Sequence, residues 1–240
     1  ILNKSPQIAP SSWRLFLTQA ISEEAAFTTS HLVYLHGFRS SPNSFKAQFI
    51  AQWLKAHKPD VVWFCPQLPA SPHAAADMLL NTVHAWPKHS TAIMGSSLGG
   101  FYATWLGALM QSRTVLLNPA VHPARDLVSY IGTQTAWHNP HELVSFEPHY
   151  IAELKTLYVG QAKKDLQDTT DLNDATALED PSHLLNMVAK GDEVLSWQEM
   201  VARYPSATLH LIEGSDHGLS DFEQHFPVVQ NYLGLLSSEP

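Results

Sequence analysis

The sequence predicts an α/β protein with a mostly parallel central sheet, helices on both faces and a small helical lid insertion. Short apolar segments alternate with amphipathic ones along the chain, as strands joined by crossover helices require. The apolar segments are continuous runs, which suits strands buried on both faces. One of them, Ala92-Ile93-Met94, runs into Gly95-Ser96-Ser97-Leu98-Gly99-Gly100. A helical repeat of Leu98, Tyr102, Trp105, Leu106 and Leu109 follows directly.

The elements fall in order along the 240 residues. An N-terminal extension, 1–30, carries Trp13, Phe16, Leu17, Ala20 and Ile21 on one face of a helix that Ser11-Ser12 would cap. A single domain then spans 31–240. His31–Leu35 is a strand that ends in the loop His36-Gly37-Phe38-Arg39-Ser40-Ser41-Pro42. A helix with Phe45, Phe49, Ile50, Trp53 and Leu54 on its apolar side follows. Val61–Cys65 is the next strand, 73–86 a helix, Ser90–Gly95 a strand and Arg113–Pro119 another. Residues 120–182 break the rhythm and read as a lid-like insertion, with a helix over 147–158. The alternation resumes with a strand at His183–Ala189, a helix at 196–204, a strand at Ala207–Ile212 and a closing helix at Asp221–Leu233.

Composition narrows the function. Hydrophobic content of 45% fills one core, and a net charge of -8 leaves no basic stripe for nucleic acid. No run approaches the roughly 20 apolar residues that span a bilayer, so no membrane association is expected. The single cysteine, Cys65, allows no internal disulfide and sits in an apolar run, where a buried inert thiol is expected. No secretory signal is legible, because Arg14 interrupts the first apolar stretch, and a cytoplasmic location is expected. Asp165, Asp168, Asp171 and Asp174 recur every third residue, which is not the ligand spacing of a calcium loop. No metal or cofactor is expected.

The chemistry centres on Gly95-x-Ser97-x-Gly99. This is a nucleophile elbow, a sharp strand-to-helix turn that exposes a serine hydroxyl above the sheet. The turn tolerates only very small side chains two positions either side of the nucleophile. Ser97 has glycines there, whereas Ser96 has Met94 and Leu98. His217 is the best base among 14 histidines, since it follows the last strand and has Gly214 and Gly218 around it. Asp192 directly follows the penultimate strand and is the best acid, with Glu193 a bystander and Asp216 a loop brace. The chain order Ser97, Asp192, His217 suits three loops converging on one sheet edge. Backbone N–H groups of Phe38 and Leu98 would form an oxyanion hole. His36, Arg39 and Trp137 are candidate pocket residues, and His36 reads better as a residue that pins its loop than as a catalyst.

Five segments also resemble the YqiA-like esterases of the α/β-hydrolase superfamily. They are Tyr34–Pro42, Gly95–Ala103, Leu117-Asn118-Pro119-Ala120, Gly191–Leu195 and Asp216-His217. The resemblance covers 31–235 and implies a small carboxylesterase with Ser97, Asp192 and His217 as its triad and a small-molecule ester as its substrate. Residues 1–30 and the acidic loop at 163–182 depart from that pattern. An acyl-CoA thioesterase with the same triad is the alternative, with Arg39, Lys163 and Lys164 as thin support for phosphate binding. A non-catalytic binding module on the same fold is a third reading, disfavoured by the full set of triad residues.

Overall fold

A computed structural model describes residues 27–137, 139, 141–160 and 183–236. The helix expected in 1–30 and the acidic loop at 163–182 lie outside the described residues.

Six parallel strands form the sheet: β1 His31–Leu35, β2 Val62–Phe64, β3 Thr91–Ser96, β4 Arg113–Leu117, β7 Leu184–Ala189 and β8 Thr208–Ile212. Their order is β2-β1-β3-β4-β7-β8. The order reverses direction at β1 and β3, and open parallel sheets build their sites outside the carboxyl ends of strands at such a switch. The interior strands β3 and β7 are buried along their whole length, which explains their largely apolar sequences.

Alternate residues of each strand serve opposite faces. Val33, Leu35, Ile93, Leu116 and Val188 pack on α2 Pro72–Val83 and α3 Leu98–Met110. Leu32, Tyr34, Met94, Val115 and Met187 pack on α1 Phe45–His57 and α7 Phe222–Tyr232. Helix α6 Trp197–Arg203 joins the first layer through Met200. Caps set two of the helix starts: Ser71 accepts from the Ala74 N–H at 3.2 Å and Ser196 from the Glu199 N–H at 3.4 Å.

The insertion departs from expectation. Its described part holds a short helix, α4 Pro123–Asp126, and α5 Tyr150–Thr156, but between them lies an antiparallel hairpin, β5 Gly132–Thr135 and β6 Leu143–Phe146. The insertion is therefore not purely helical. The cause is visible in Leu143-Val144-Ser145-Phe146, where Val144 and the fully buried Phe146 point inward while Leu143 and Ser145 face solvent. That is a period of two.

Polar contacts at both helices of the insertion tie it to the body. Arg125 of α4 makes a paired bond to Glu199 of α6 at 2.9 and 2.8 Å. Glu153 of α5 accepts from the Ser71 hydroxyl at 2.7 Å and the His73 N–H at 3.0 Å, at the start of α2. Burial pushes the Glu153 carboxyl up, but these two donors together with the nearby His73 and His149 imidazoles outweigh it and hold it below the usual glutamate range. Glu153→Ala is expected to cost about 2 kcal/mol in urea unfolding, since a charged acceptor of two donors is lost. The lowered carboxyl gives a sign for pH as well. Its stabilisation is present above the unfolded glutamate value of about 4.3 and disappears as pH falls through the lower folded value. The gap between wild type and Glu153→Ala should close on acidification below about pH 4. A gap that stays constant down to pH 3 would contradict the anchor.

Candidate active site

The elbow is built by close approach. Ser97 adopts φ 55° and ψ -122°, a strained conformation for a residue with a side chain. A Cβ on Gly95 would lie 2.0 Å from the Gly99 carbonyl oxygen, and one on Gly99 would lie 1.9 Å from the Leu35 carbonyl oxygen. Neither position admits alanine without moving backbone. Ser97 is partly exposed, whereas Ser96 is buried. Ser97 also stands at the N-terminus of α3, where the helix dipole favours developing negative charge.

Three side chains from three loops meet there. His217 Nε2 lies 2.9 Å from Ser97 Oγ, and His217 Nδ1 lies 2.7 Å from Asp192 Oδ2. The Asp192 side chain is fully buried. Its other oxygen, Oδ1, accepts from the N–H groups of Val194 and Leu195, both at 2.8 Å. Two backbone donors on one oxygen fix the orientation of the carboxyl group. The carboxylate in turn requires a proton on Nδ1, which leaves the Nε2 lone pair free to face the serine hydroxyl.

The loop after β1 lies against the serine. A Cβ on Gly37 would be 3.7 Å from Ser97 Oγ. The candidate oxyanion donors, the N–H groups of Phe38 and Leu98, donate to no protein acceptor among the described residues. The Phe38 ring packs edge-on against Tyr130 and Phe146 of the insertion, with centroids at 5.7 and 5.3 Å.

Beside this loop is a cleft of about 50 Å³ lined by His36, Phe38, Arg39, Leu68, Leu98, Tyr102 and Val144 among others. His36 is buried and pins two loops. Its Nδ1–H donates to the Gly37 carbonyl at 2.9 Å and its Nε2 accepts from the Leu68 N–H at 3.1 Å. Arg39 reaches the hairpin instead of open solvent: Nε donates to the Thr135 carbonyl and Nη2 to the Thr135 hydroxyl at 3.0 Å. Trp137 corrects an expectation. It is 71% exposed and does not line the cleft, because it lies outside the inward-facing positions of the hairpin, with the Arg39 guanidinium 4.2 Å from its ring centroid.

Two other residues differ from the sequence reading. Glu193 is no bystander, since its Oε2 accepts from the His217 N–H at 3.0 Å. Lys46 of α1 donates to the Gly218 carbonyl, a contact with no sequence signal. Burial pulls the Lys46 ammonium down to about 8, partly offset by Asp216. Asp216 braces its own loop by accepting from the Ser220 N–H at 2.9 Å and from the Ser220 hydroxyl. Cys65 stays outside this chemistry, as burial pushes its thiol up to about 12.

The strand order, the elbow and the convergence of loops after β3, β7 and β8 define an α/β-hydrolase fold. Within that class the chain belongs to UPF0227, described as an uncharacterised protein family, whose model matches residues 31–234. A UPF0227 protein of Vibrio atlanticus (strain LGP32) is 28% identical over 158 residues, spanning 62% of this chain and 83% of that protein. Est1E of Butyrivibrio proteoclasticus, solved with ferulic acid, matches at a TM-score of 0.60 and 14% identity over 87% of this chain and 89% of its own. The mouse α/β-hydrolase domain-containing protein 10 matches at 0.59 and 15% over 88% and 92%. These solved structures support the fold. No helix among the described residues is long and apolar enough to cross a membrane.

Proposed function

We propose that the protein is a serine carboxylesterase acting on short-chain carboxylic esters. The observation that carries this reading is the continuous hydrogen-bonded chain from Ser97 Oγ through His217 to the buried Asp192 carboxylate.

His217 Nε2 takes the Ser97 proton as Oγ attacks the ester carbonyl carbon. The carbonyl oxygen becomes an oxyanion that accepts from the Phe38 and Leu98 N–H groups. Asp192 balances the imidazolium. His217 then protonates the departing alcohol, leaving an acyl-enzyme. Water, deprotonated by the same imidazole, attacks the acyl carbon; the acyl–Oγ bond breaks, the imidazolium returns its proton to Ser97 Oγ, and the acid is released.

The cleft favours this over an acyl-CoA substrate. Its lining is mixed, with Glu142 as a carboxylate, and Arg39, the cation of the oxyanion loop, is already committed to Thr135. Acyl preference should fall in the acetyl to hexanoyl range. Each buried methylene contributes about 0.8 kcal/mol, roughly fourfold in kcat/KM, until the cleft is full. A panel of nitrophenyl esters run beside acyl-CoAs tests this. The expected profile rises and then falls by hexanoyl to octanoyl, with acyl-CoAs turned over more slowly. A steady climb through dodecanoyl, or activation by emulsified triglyceride, would reject the short-chain assignment.

A further inference from the structure

One tetrapeptide, Leu117-Asn118-Pro119-Ala120, touches all three loops of the site. The Leu117 carbonyl accepts from the Ser97 N–H at 3.0 Å, and the Ala120 N–H donates to the Ser97 carbonyl at 2.9 Å. Between them Asn118 is fully buried, at φ 42°. Asparagine is among the few residues with side chains that adopt this left-handed conformation readily. Its own N–H continues the β4–β7 ladder to the Met187 carbonyl at 3.0 Å. Its Oδ1 accepts from the Ala189 N–H at 2.8 Å, at the end of the strand that leads to Asp192. Its Nδ2 donates to the Asp216 and His217 carbonyls at 3.0 and 3.1 Å. Both amide protons and the amide oxygen are thus engaged, each on a loop that carries the acid or the base.

We infer that Asn118 is a positioning residue for the reaction: its carboxamide fixes the distance between the Asp192 loop and the His217 loop, with Lys46 as a second grip on the base. The inference rests on the proposed triad. A buried asparagine could be placed here for stability alone, but its bonds select the two loops that must stay in register. Backbone N–H and C=O groups at strand ends otherwise find water or each other, and a side chain that takes three of them fixes one arrangement. The His217 backbone is held on every side: by Asn118 at two carbonyls, by Lys46 at the Gly218 carbonyl and by Glu193 at the His217 N–H. The His217 imidazole must keep 2.9 and 2.7 Å contacts simultaneously, and displacement of a catalytic group by about 1 Å can cost 10²-fold.

Asn118→Asp is the discriminating variant. It keeps an acceptor for Ala189 and tolerance of the left-handed backbone, but places an oxygen against the two carbonyls that Nδ2 now binds. With nitrophenyl acetate, kcat should fall about 10²-fold while KM changes less than about threefold. In a His217→Ala background the same substitution should cost nothing further, since no base remains to misplace. Lys46→Met, which removes one donor from the α1 side, should lower kcat several-fold with the same vanishing effect in His217→Ala, and it serves where Asn118→Asp fails to fold. Full kcat in a folded Asn118→Asp protein, or an equal loss in the His217→Ala background, would overturn the inference while leaving the triad intact. His217→Ala retaining more than a tenth of wild-type turnover would instead overturn the triad, and the inference with it.

Discussion

Ser97→Ala is expected to fold as the wild type does and to lose ester turnover by about 10⁴-fold or more. The fold should survive because the removed hydroxyl faces only His217, while the backbone bonds of Ser97 to Leu117 and Ala120 remain. Alanine also enters the same φ 55° conformation at no greater cost than serine. The rate should collapse because no other group near Oγ can form an acyl-enzyme. Ser96 is buried and cannot substitute. Steady-state turnover beside an unfolding midpoint separates the two effects. Retained turnover above a hundredth of wild type would reject Ser97 as the nucleophile.

Asp192→Asn should cost nearly as much, on the order of 10³- to 10⁴-fold in kcat, by the triad's general behaviour. The reason lies in the hydrogen bonds. The new amide oxygen is claimed by the Val194 and Leu195 N–H groups, as Oδ1 is now. The amide nitrogen must then face His217 Nδ1 and donate to it. That drives the ring proton onto Nε2, which can no longer accept from Ser97. Glu193→Gln should change kcat less than tenfold, because the amide oxygen still accepts from the His217 N–H. If the two substitutions exchange their effects, the acid has been misidentified.

The sheet and the elbow were legible in the sequence for the same physical reason. Buried parallel strands must be mostly apolar, and the turn at Ser97 excludes any Cβ at Gly95 and Gly99. Both constraints are local and leave a mark in the letters. The insertion was less legible. Its hairpin strands have four residues each and are half polar, and Gly132-Thr133-Gln134-Thr135 has no apolar period at all. Trp137 looked like a pocket residue because it belongs to the lid, but it is exposed and stacks on Arg39, which does line the cleft. Asn118 and Lys46 were missed because what they hold is backbone far away in the chain. A carbonyl of residue 216 or 218 has no sequence signature. The one available clue was an Asn-Pro pair placed immediately after a buried strand, where an unpaired polar side chain would be costly.

The central claim is that Ser97, activated by His217, is the nucleophile. The most direct measurement is mass-spectrometric mapping of the peptide modified by a fluorophosphonate, in wild type, Ser97→Ala and His217→Ala. The wild type is expected to carry one modified residue, Ser97, with no modification in Ser97→Ala and labelling slowed by orders of magnitude in His217→Ala. Modification of Ser96 or any other residue in the wild type, or labelling that persists in Ser97→Ala, would contradict it.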